Sequence, residues 1–229
     1  MIRVFIGYDN AERVSASVLA HSIQVNASEP VAIAPVMLSQ LKGVFDRPRN
    51  ELQSTEFSFS RFLVPWMSGF EGWAVFMDCD MLVRADIAQL WKLRDERYAV
   101  QVVKHVHVPK EDTKFLGQVQ TRYEKKNWSS VMLMNCAKCR ALTPQFVNTA
   151  TGLELHQFKW LASDDEIGAL PGSWNHLVGY DAYDAGAALV HFTIGGPWFR
   201  EYESVEYAGE WFAARDAMLT ASGRHKAAP

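Results

Sequence analysis

The chain has 229 residues, of which 48% are hydrophobic and 21% are charged, and its net charge is −3. This composition is typical of a globular protein, and the length predicts a single domain, 1–229, with a frayed tail from about residue 215. The charge excludes a general electrostatic attraction to nucleic acid or to an anionic membrane. We therefore expect no nucleic-acid partner, and any anionic ligand must be held by local groups.

The first half of the chain alternates strand and helix patterns. A β-strand is predicted over 2–6, a helix over 11–23 and a second strand over 31–37. This β-α-β beginning favours a parallel sheet. Residues 42–57 are predicted to form a polar loop, and 58–67 a helix that Pro65 bends or shortens.

The second half continues the pattern less regularly. A strand over 73–77 runs directly into two carboxylates, and a lysine-rich loop is expected over 104–128. Further strands are predicted over 98–103, 129–135 and 188–192, and further helices over 87–93, 143–152, 153–161 and from about 208. The predicted class is α/β, with a mostly parallel sheet that has helices on both faces. Ligands of such sheets bind beyond the carboxyl ends of the strands.

The cysteine content and the lengths of the apolar runs predict where in the cell the protein is located. Cys79, Cys136 and Cys139 do not form a disulfide framework, and the C-x-x-C pair lacks a second pair that would complete a zinc site. We expect buried core thiols. The first residues lack a signal-peptide pattern, and no run reaches the roughly 18–20 apolar residues of a membrane span. We expect a cytoplasmic protein without a transmembrane segment, for which peripheral membrane contact is allowed.

The stretch FMDCDMLV, residues 76–83, places two carboxylates in an apolar run. Burial of an unpaired carboxylate is costly, so Asp78 and Asp80 require a cation. Oxygen ligands suit Mg²⁺ or Mn²⁺, and Mn²⁺ also accepts an imidazole. His191 ends another apolar strand, before a glycine-rich turn. We predict a metal held by Asp78, Asp80 and His191, with other positions left for phosphate oxygens. The alternative is that the carboxylates only cap a turn.

Five blocks of the sequence resemble the motifs of glycosyltransferase family 8, which has the GT-A fold. They are FSFSRFLVPWM, FMDCDMLV, NWSSVMLMNC, SDDEIGALPGSWN and HFTIGGPWF. They occur in family order and span nearly the whole chain. The resemblance implies a retaining, metal-dependent hexosyltransferase. Such an enzyme moves a sugar from a nucleotide diphosphate sugar, usually a UDP-sugar, to a glycan or lipid-linked acceptor.

The resemblance also implies roles for residues that bind the donor. Tyr8 and Asp9 match the position where the family binds uracil and ribose, and Arg61 matches a residue that reaches the donor sugar and phosphates. The sugar-facing positions are Asn127, Ser129 and Ser130, and the turn beside the diphosphate contains Gly195 and Gly196.

The catalytic positions of the family match Asp164 and Asp165, although capping of a short helix, EIGAL, is the alternative. The chain departs from the family at three points. Trp128 is inserted, Ser130 replaces a glycine, and the segment Asp-Asp-Glu replaces Asp-Gln-Asp.

A fourth departure affects the diphosphate site. Gly196 stands where the family has a lysine that contacts the diphosphate. Arg200, Lys104 and Lys114 are the cationic residues that we consider as replacements.

Two other functions are compatible with some of these patterns. A haloacid-dehalogenase-type phosphohydrolase also has a D-x-D motif after a strand, but its motif usually follows the first strand of the domain. A nucleotide-sugar-binding module without catalysis would retain the metal ligands and tolerate the departures from the family. Retention of configuration by a covalent intermediate and by a front-face mechanism are both open.

Overall fold

The computed structural model describes residues 1–49, 53–106 and 124–220. Its strands are β1 (Ile2–Gly7), β2 (Val31–Val36), β3 (Trp73–Met77), β4 (Met81–Val83), β5 (Val100–Val102), β6 (Val131–Asn135), β7 (Ile167–Ala169), β8 (His176–Leu177) and β9 (Leu189–His191). Its α-helices are α1 (Arg13–Asn26), α2 (Val64–Met67), α3 (Ile87–Lys92), α4 (Pro144–Thr149), α5 (Gly152–His156) and α6 (Ala208–Leu219).

Six strands form the main sheet in the order β2-β1-β3-β6-β5-β7. Strand β1 is parallel to β2 and β3, and β7 is parallel to β5, whereas β6 is antiparallel to both β3 and β5. The predicted α/β class and the parallel β1-α1-β2 unit are confirmed. The central strands β3 and β6 are buried along their whole length, as expected for strands covered on both faces.

A second sheet contains three short strands in the order β4-β9-β8. Strand β4 is antiparallel to β9, and β9 is parallel to β8. The apolar residues before and after Asp78-Cys79-Asp80 therefore belong to two different sheets. The two carboxylates lie in the connection, where the chain leaves the pleat of β3.

The hydrophobic core covers both sheets. Phe62, Phe76 and Leu63 are fully buried in the cluster around the main sheet, while Val18 of α1 and Trp211 of α6 cover the second sheet. The three cysteines are free and buried, as predicted. Burial is the main reason that the pKa of each thiol is raised, so they are poor nucleophiles at neutral pH.

Several predicted elements differ in length from the observed ones. The predicted helix over 58–67 is a 3₁₀ turn, Ser60–Leu63, followed by α2, because Pro65 lies in the first turn of α2. The predicted helix over 153–161 ends at His156, and Phe158 has a positive φ of 59°. The residues after Glu166 form β7, not a helix. Helix α6 extends to Leu219, beyond the expected start of the frayed tail.

Helix length also bears on the membrane prediction. In the described parts of the chain, the longest helices, α1 and α6, have 14 and 12 residues. Within 1–49, 53–106 and 124–220, no helix has the length and apolar character that crossing a bilayer requires.

Candidate functional site

The structure brings Asp78, Asp80 and His191 together at the junction of the two sheets. One ligand atom from each residue lies within 4.8 Å of the others. Their side chains are only 13%, 10% and 3% exposed, and His191 Nε2 lies 3.3 Å from Asp80 Oδ1. Two carboxylates and an imidazole are a donor set that suits Mn²⁺. These are the three residues predicted from the sequence to hold a metal, and their role as ligands stays a prediction.

Each residue of the Asp78-Cys79-Asp80 turn is held by a different part of the fold. The Asp78 N–H donates to the Ser130 carbonyl at 3.0 Å, and the Phe192 N–H donates to the Asp80 carbonyl at 2.9 Å. The buried Ser15 hydroxyl of α1 donates to the Cys79 carbonyl at 2.9 Å. These bonds fix the backbone from which both carboxylates project, so the site is largely pre-organised.

Further acidic groups surround this turn. Burial raises the pKa of Cys79, and the carboxylates of Glu12, Asp80, Asp78 and Asp9 raise it further. Glu12 is 1% exposed, and the sequence analysis did not single it out. Its position at the start of α1, beyond the carboxyl end of β1, is the signal that would have found it. Such a concentration of negative charge favours binding of a divalent cation.

Arg61 pairs with one of the proposed metal ligands. Its Nη1 donates to Asp78 Oδ1 at 2.6 Å and to the Ser129 carbonyl at 3.0 Å. The guanidinium also lies over the rings of Phe57 and Phe76, 5.1 and 5.2 Å from their centroids. The observed arrangement uses Arg61 to orient Asp78, and its predicted contact with the donor sugar stays a prediction.

The residues predicted to bind the base lie at the end of β1. Asp9 is 5% exposed. Its Oδ1 accepts from the Ala11 N–H at 2.8 Å and its Oδ2 accepts from the Glu56 N–H at 2.9 Å. Asp9 therefore ties the loop around Glu56 to the start of α1. Tyr8 is half-buried against the core. The proposed roles of Tyr8 and Asp9 toward a uracil stay predictions.

Asn127, Ser129 and Ser130 form a hydrogen-bonded turn beside the metal-site residues. Asn127 has a left-handed backbone with φ of 65°, and the Ser130 hydroxyl donates to its carbonyl at 2.6 Å. Ser129 Oγ lies 2.7 Å from His156 Nδ1. Burial, assisted by Arg61, lowers the pKa of His156 to about 3, so this imidazole is neutral at pH 7. The turn is thus rigid although it lacks the glycine of the family.

Asn175 connects this turn to His191. Its Nδ2 donates to Ser130 Oγ at 2.8 Å and to the Asn127 carbonyl at 3.3 Å, and its Oδ1 lies 3.0 Å from His191 Nδ1. Asn175 itself is fully buried. Asn175 lies in one of the five sequence blocks but had no predicted role, because no local pattern shows which distant histidine it contacts.

Asp164 and Asp165 lie on an exposed 3₁₀ turn, Asp164–Glu166. Lys125 Nζ pairs with Asp164 Oδ1 at 2.5 Å, which connects this turn to the Asn127 segment. The Ser163 hydroxyl accepts from the Asp165 N–H at 3.1 Å and caps the turn. The catalytic roles of Asp164 and Asp165 stay predictions. The capping alternative is wrong, because the residues after Glu166 form β7 and not a helix that these carboxylates could cap.

Aromatic rings pack against Gly195 and Gly196. A Cβ at Gly195 would lie 2.5 Å from the Tyr202 ring, and one at Gly196 would lie 2.1 Å from the Trp198 ring. A lysine at position 196 would therefore displace Trp198. Of the replacements considered above, Lys104 Nζ lies 5.7 Å from the Trp128 ring centroid, Arg200 is exposed, and Lys114 falls outside the described residues.

We expect Gly196→Ala to destabilise the chain by about 1–3 kcal/mol, the usual range for overpacking. The reason is that Trp198 is held between Phe192 and Trp211, at ring-centroid distances of 5.7 and 5.4 Å. Urea unfolding would measure the change. Gly209→Ala is the matched control, because a Cβ there meets nothing within 4 Å. Gly209 lies in α6, where Ala is favoured over Gly, so the control should keep or gain stability. A Gly196→Ala variant as stable as the wild type would contradict this account of Gly196.

Comparison with known sequences gives a relative of this chain from a plant. No protein-family model matches the chain. Protein CDI of Arabidopsis thaliana is 47% identical over 218 residues, which cover 91% of this chain and 84% of that protein.

Among solved structures, an active-site mutant of LgtC is 13% identical with a TM-score of 0.64, covering 97% of this chain and 98% of its own. The glycosyltransferase GlyE of Streptococcus pneumoniae TIGR4 is 13% identical with a TM-score of 0.63, covering 96% of this chain and 63% of its own. The WbbM bifunctional glycosyltransferase is 16% identical with a TM-score of 0.60, and the match covers 93% of this chain and 49% of WbbM. This chain thus spans about half the length of WbbM. The predicted GT-A fold is confirmed.

Proposed function

Because this chain belongs to the family of Protein CDI from Arabidopsis thaliana and has the GT-A fold, we propose that it is a retaining, metal-dependent glycosyltransferase. It moves a sugar from a nucleoside diphosphate sugar to a glycan or lipid-linked acceptor. The observation that carries the proposal is the convergence of Asp78, Asp80 and His191 within 4.8 Å. We further propose a UDP-hexose donor, Mn²⁺ or Mg²⁺ as the ion, and a cytoplasmic location.

The residues present fit a divalent ion. The Asn175 amide nitrogen donates to Ser130 and Asn127, so its oxygen accepts from His191 Nδ1–H. In the neutral imidazole, Nε2 of His191 is then the nitrogen that offers a lone pair, and it lies 3.3 Å from Asp80 Oδ1. The Nε2 lone pair and the carboxylate oxygen repel each other at this distance, and a cation bound beside both atoms would offset the repulsion. A bound metal supplies Lewis-acid stabilisation of the diphosphate leaving group.

The chain's own residues hold and orient the reactants in this proposal. Arg61 fixes Asp78, and the turn of Asn127, Ser129 and Ser130 lines the donor sugar. Tyr8 and Asp9 lie beside the base, Gly195 and Gly196 lie beside the diphosphate, and Asp164 and Asp165 act on the sugar or its acceptor. Asp164 is 72% exposed, which leaves it accessible to an arriving acceptor.

A nucleotide-sugar-binding module without catalysis is the second candidate function. The Trp198 ring fills the space beside Gly196, so the cation that the family places there has no room. A binding module would tolerate this loss better than an enzyme would, since the charge that a cation must balance grows as the diphosphate leaves. The phosphohydrolase alternative is not retained, because the fold is GT-A.

A thermal-shift screen of nucleotide sugars, with and without Mn²⁺, tests the proposal. A ligand that binds the native state at 100 times its Kd adds about 2.7 kcal/mol of stability. We expect UDP-sugars to raise the Tm only when Mn²⁺ is present. The absence of a shift with every nucleotide sugar tested would refute the proposal. Release of UDP from a stabilising donor supports the enzyme, whereas binding with neither hydrolysis nor transfer supports the binding module.

A further inference from the structure

Asn175 contacts three parts of the candidate site although it is distant from each of them in sequence. It lies in the 3₁₀ turn Gly172–Asn175, is fully buried, and bonds to His191, Ser130 and Asn127. We propose that Asn175 is a positioning residue that holds the imidazole of His191 in the orientation required for metal binding. This inference rests on the metal site of the proposed function.

The direction of the hydrogen bonds follows from the partners of Asn175. The Asn127 carbonyl 3.3 Å away can only accept, so the side-chain atom that faces it must be the donor Nδ2. The other atom, Oδ1, therefore faces His191 Nδ1 at 3.0 Å and can only accept. Nδ1 of His191 must then carry a hydrogen, so in the neutral imidazole Nε2 holds the lone pair, and it lies 3.3 Å from Asp80 Oδ1.

This arrangement has the form expected of a metal-binding histidine. Such a histidine donates its second ring N–H to a fixed acceptor, which sets both the tautomer and the ring orientation. Here the acceptor is itself fixed, because both hydrogens of the Asn175 amide are used by Ser130 and Asn127. The same amide thereby couples the orientation of His191 to the turn that is proposed to line the donor sugar.

A purely structural role for Asn175 makes a different prediction. If the amide only connected two segments of the backbone, its loss would weaken the whole site, and binding of every metal ion would decline alike. If it acts through His191, its loss should affect the ion that uses a nitrogen ligand. Mn²⁺ accepts imidazole readily, whereas Mg²⁺ prefers oxygen ligands and retains much of its hydration.

The test compares Mn²⁺ and Mg²⁺ affinities of the wild type and two variants by calorimetry. In Asn175→Leu we expect Mn²⁺ to bind about 10–100-fold more weakly, the usual effect of losing such a partner, with a smaller change for Mg²⁺. Asn175→Asp keeps an oxygen acceptor for His191 but loses the donors to Ser130 and Asn127, so we expect its Mn²⁺ affinity to lie between those of the wild type and Asn175→Leu. If Asn175→Leu unfolds, Asn175→Ala removes the acceptor without adding a bulky apolar side chain.

Double variants separate the remaining explanations. In a His191→Ala background, Asn175→Leu should cause no further loss of Mn²⁺ affinity, because the residue through which it acts is gone. Additive losses, or equal losses for Mn²⁺ and Mg²⁺, would overturn the positioning role. A wild-type chain that binds neither ion would instead refute the metal site, and the proposed function would fail with it. Circular dichroism and thermal unfolding verify that each variant is folded.

Discussion

Asp80→Asn is expected to abolish Mn²⁺-dependent binding of UDP while the chain stays folded. The substitution keeps the shape of the side chain but removes the charge that the ion requires. Because changes to residues that merely support a metal ligand cost 10–100-fold in affinity, we expect loss of a ligand to cost at least about 100-fold. Calorimetric titration of UDP in the presence of Mn²⁺ would measure it.

In the metal-free chain, Asp80→Asn should leave the free energy of unfolding unchanged or raise it. Asp80 lies among the carboxylates of Glu12, Asp78 and Asp9, which together raise the pKa of Cys79. Removal of one negative charge relieves repulsion, so the variant should be at least as stable as the wild type in EDTA. Asp216→Asn, on the exposed side of α6, is the matched control. Wild-type UDP affinity in Asp80→Asn with Mn²⁺ would exclude Asp80 as a ligand.

Arg61→Met is expected to destabilise the metal-free chain by about 3–5 kcal/mol, the range for breaking one side of a buried ion pair. The side chains of Arg61 and Asp78 are 6% and 13% exposed, and their charged atoms are 2.6 Å apart. Methionine can pack against Phe57 and Phe76 in place of the arginine stem. The loss therefore reports mainly on the Asp78 carboxylate, which is left without its cation.

Mn²⁺ should restore part of the stability of Arg61→Met, because the bound ion would supply a positive charge beside Asp78 in place of the guanidinium. Urea unfolding would measure how much less stable Arg61→Met is than the wild type, once in EDTA and once in saturating Mn²⁺. Arg97→Met is the control, since Arg97 pairs with Asp95 on the surface and is 77% exposed, and such pairs contribute little. An equal deficit with and without Mn²⁺ would show that Asp78 does not contact the ion.

Local patterns were enough to predict most of the main sheet. The strands β1, β2, β3 and β6 were expected from short apolar runs, and the helix α1 was expected because its apolar residues share one face. The metal-ligand candidates were expected for a related reason. Carboxylates inside an apolar run, and a histidine at the end of another, reveal a chemical requirement without any knowledge of the fold.

Other features depended on contacts between distant segments. The end of β3 was predicted, but the strand β4 was not, because only its pairing with β9 shows that these apolar residues form a strand of another sheet. The short strands β7 and β8 were missed because three or two residues carry no periodic signal. The sequence likewise did not show that the Trp198 ring occupies the space that a side chain at position 196 would need.

The sequence by itself identified Asp78, Asp80 and His191 as candidate metal ligands, and the structure brings them together. Only the tertiary structure decided how those groups are held: Arg61 against Asp78, Asn175 against His191, and Glu12 near Cys79. The physical reason is that periodicity and residue chemistry are properties of short segments. Hydrogen-bond direction, ion pairing and close packing depend instead on residues that are distant in sequence, such as Arg84 and Glu210, 126 positions apart, which meet only when the chain folds.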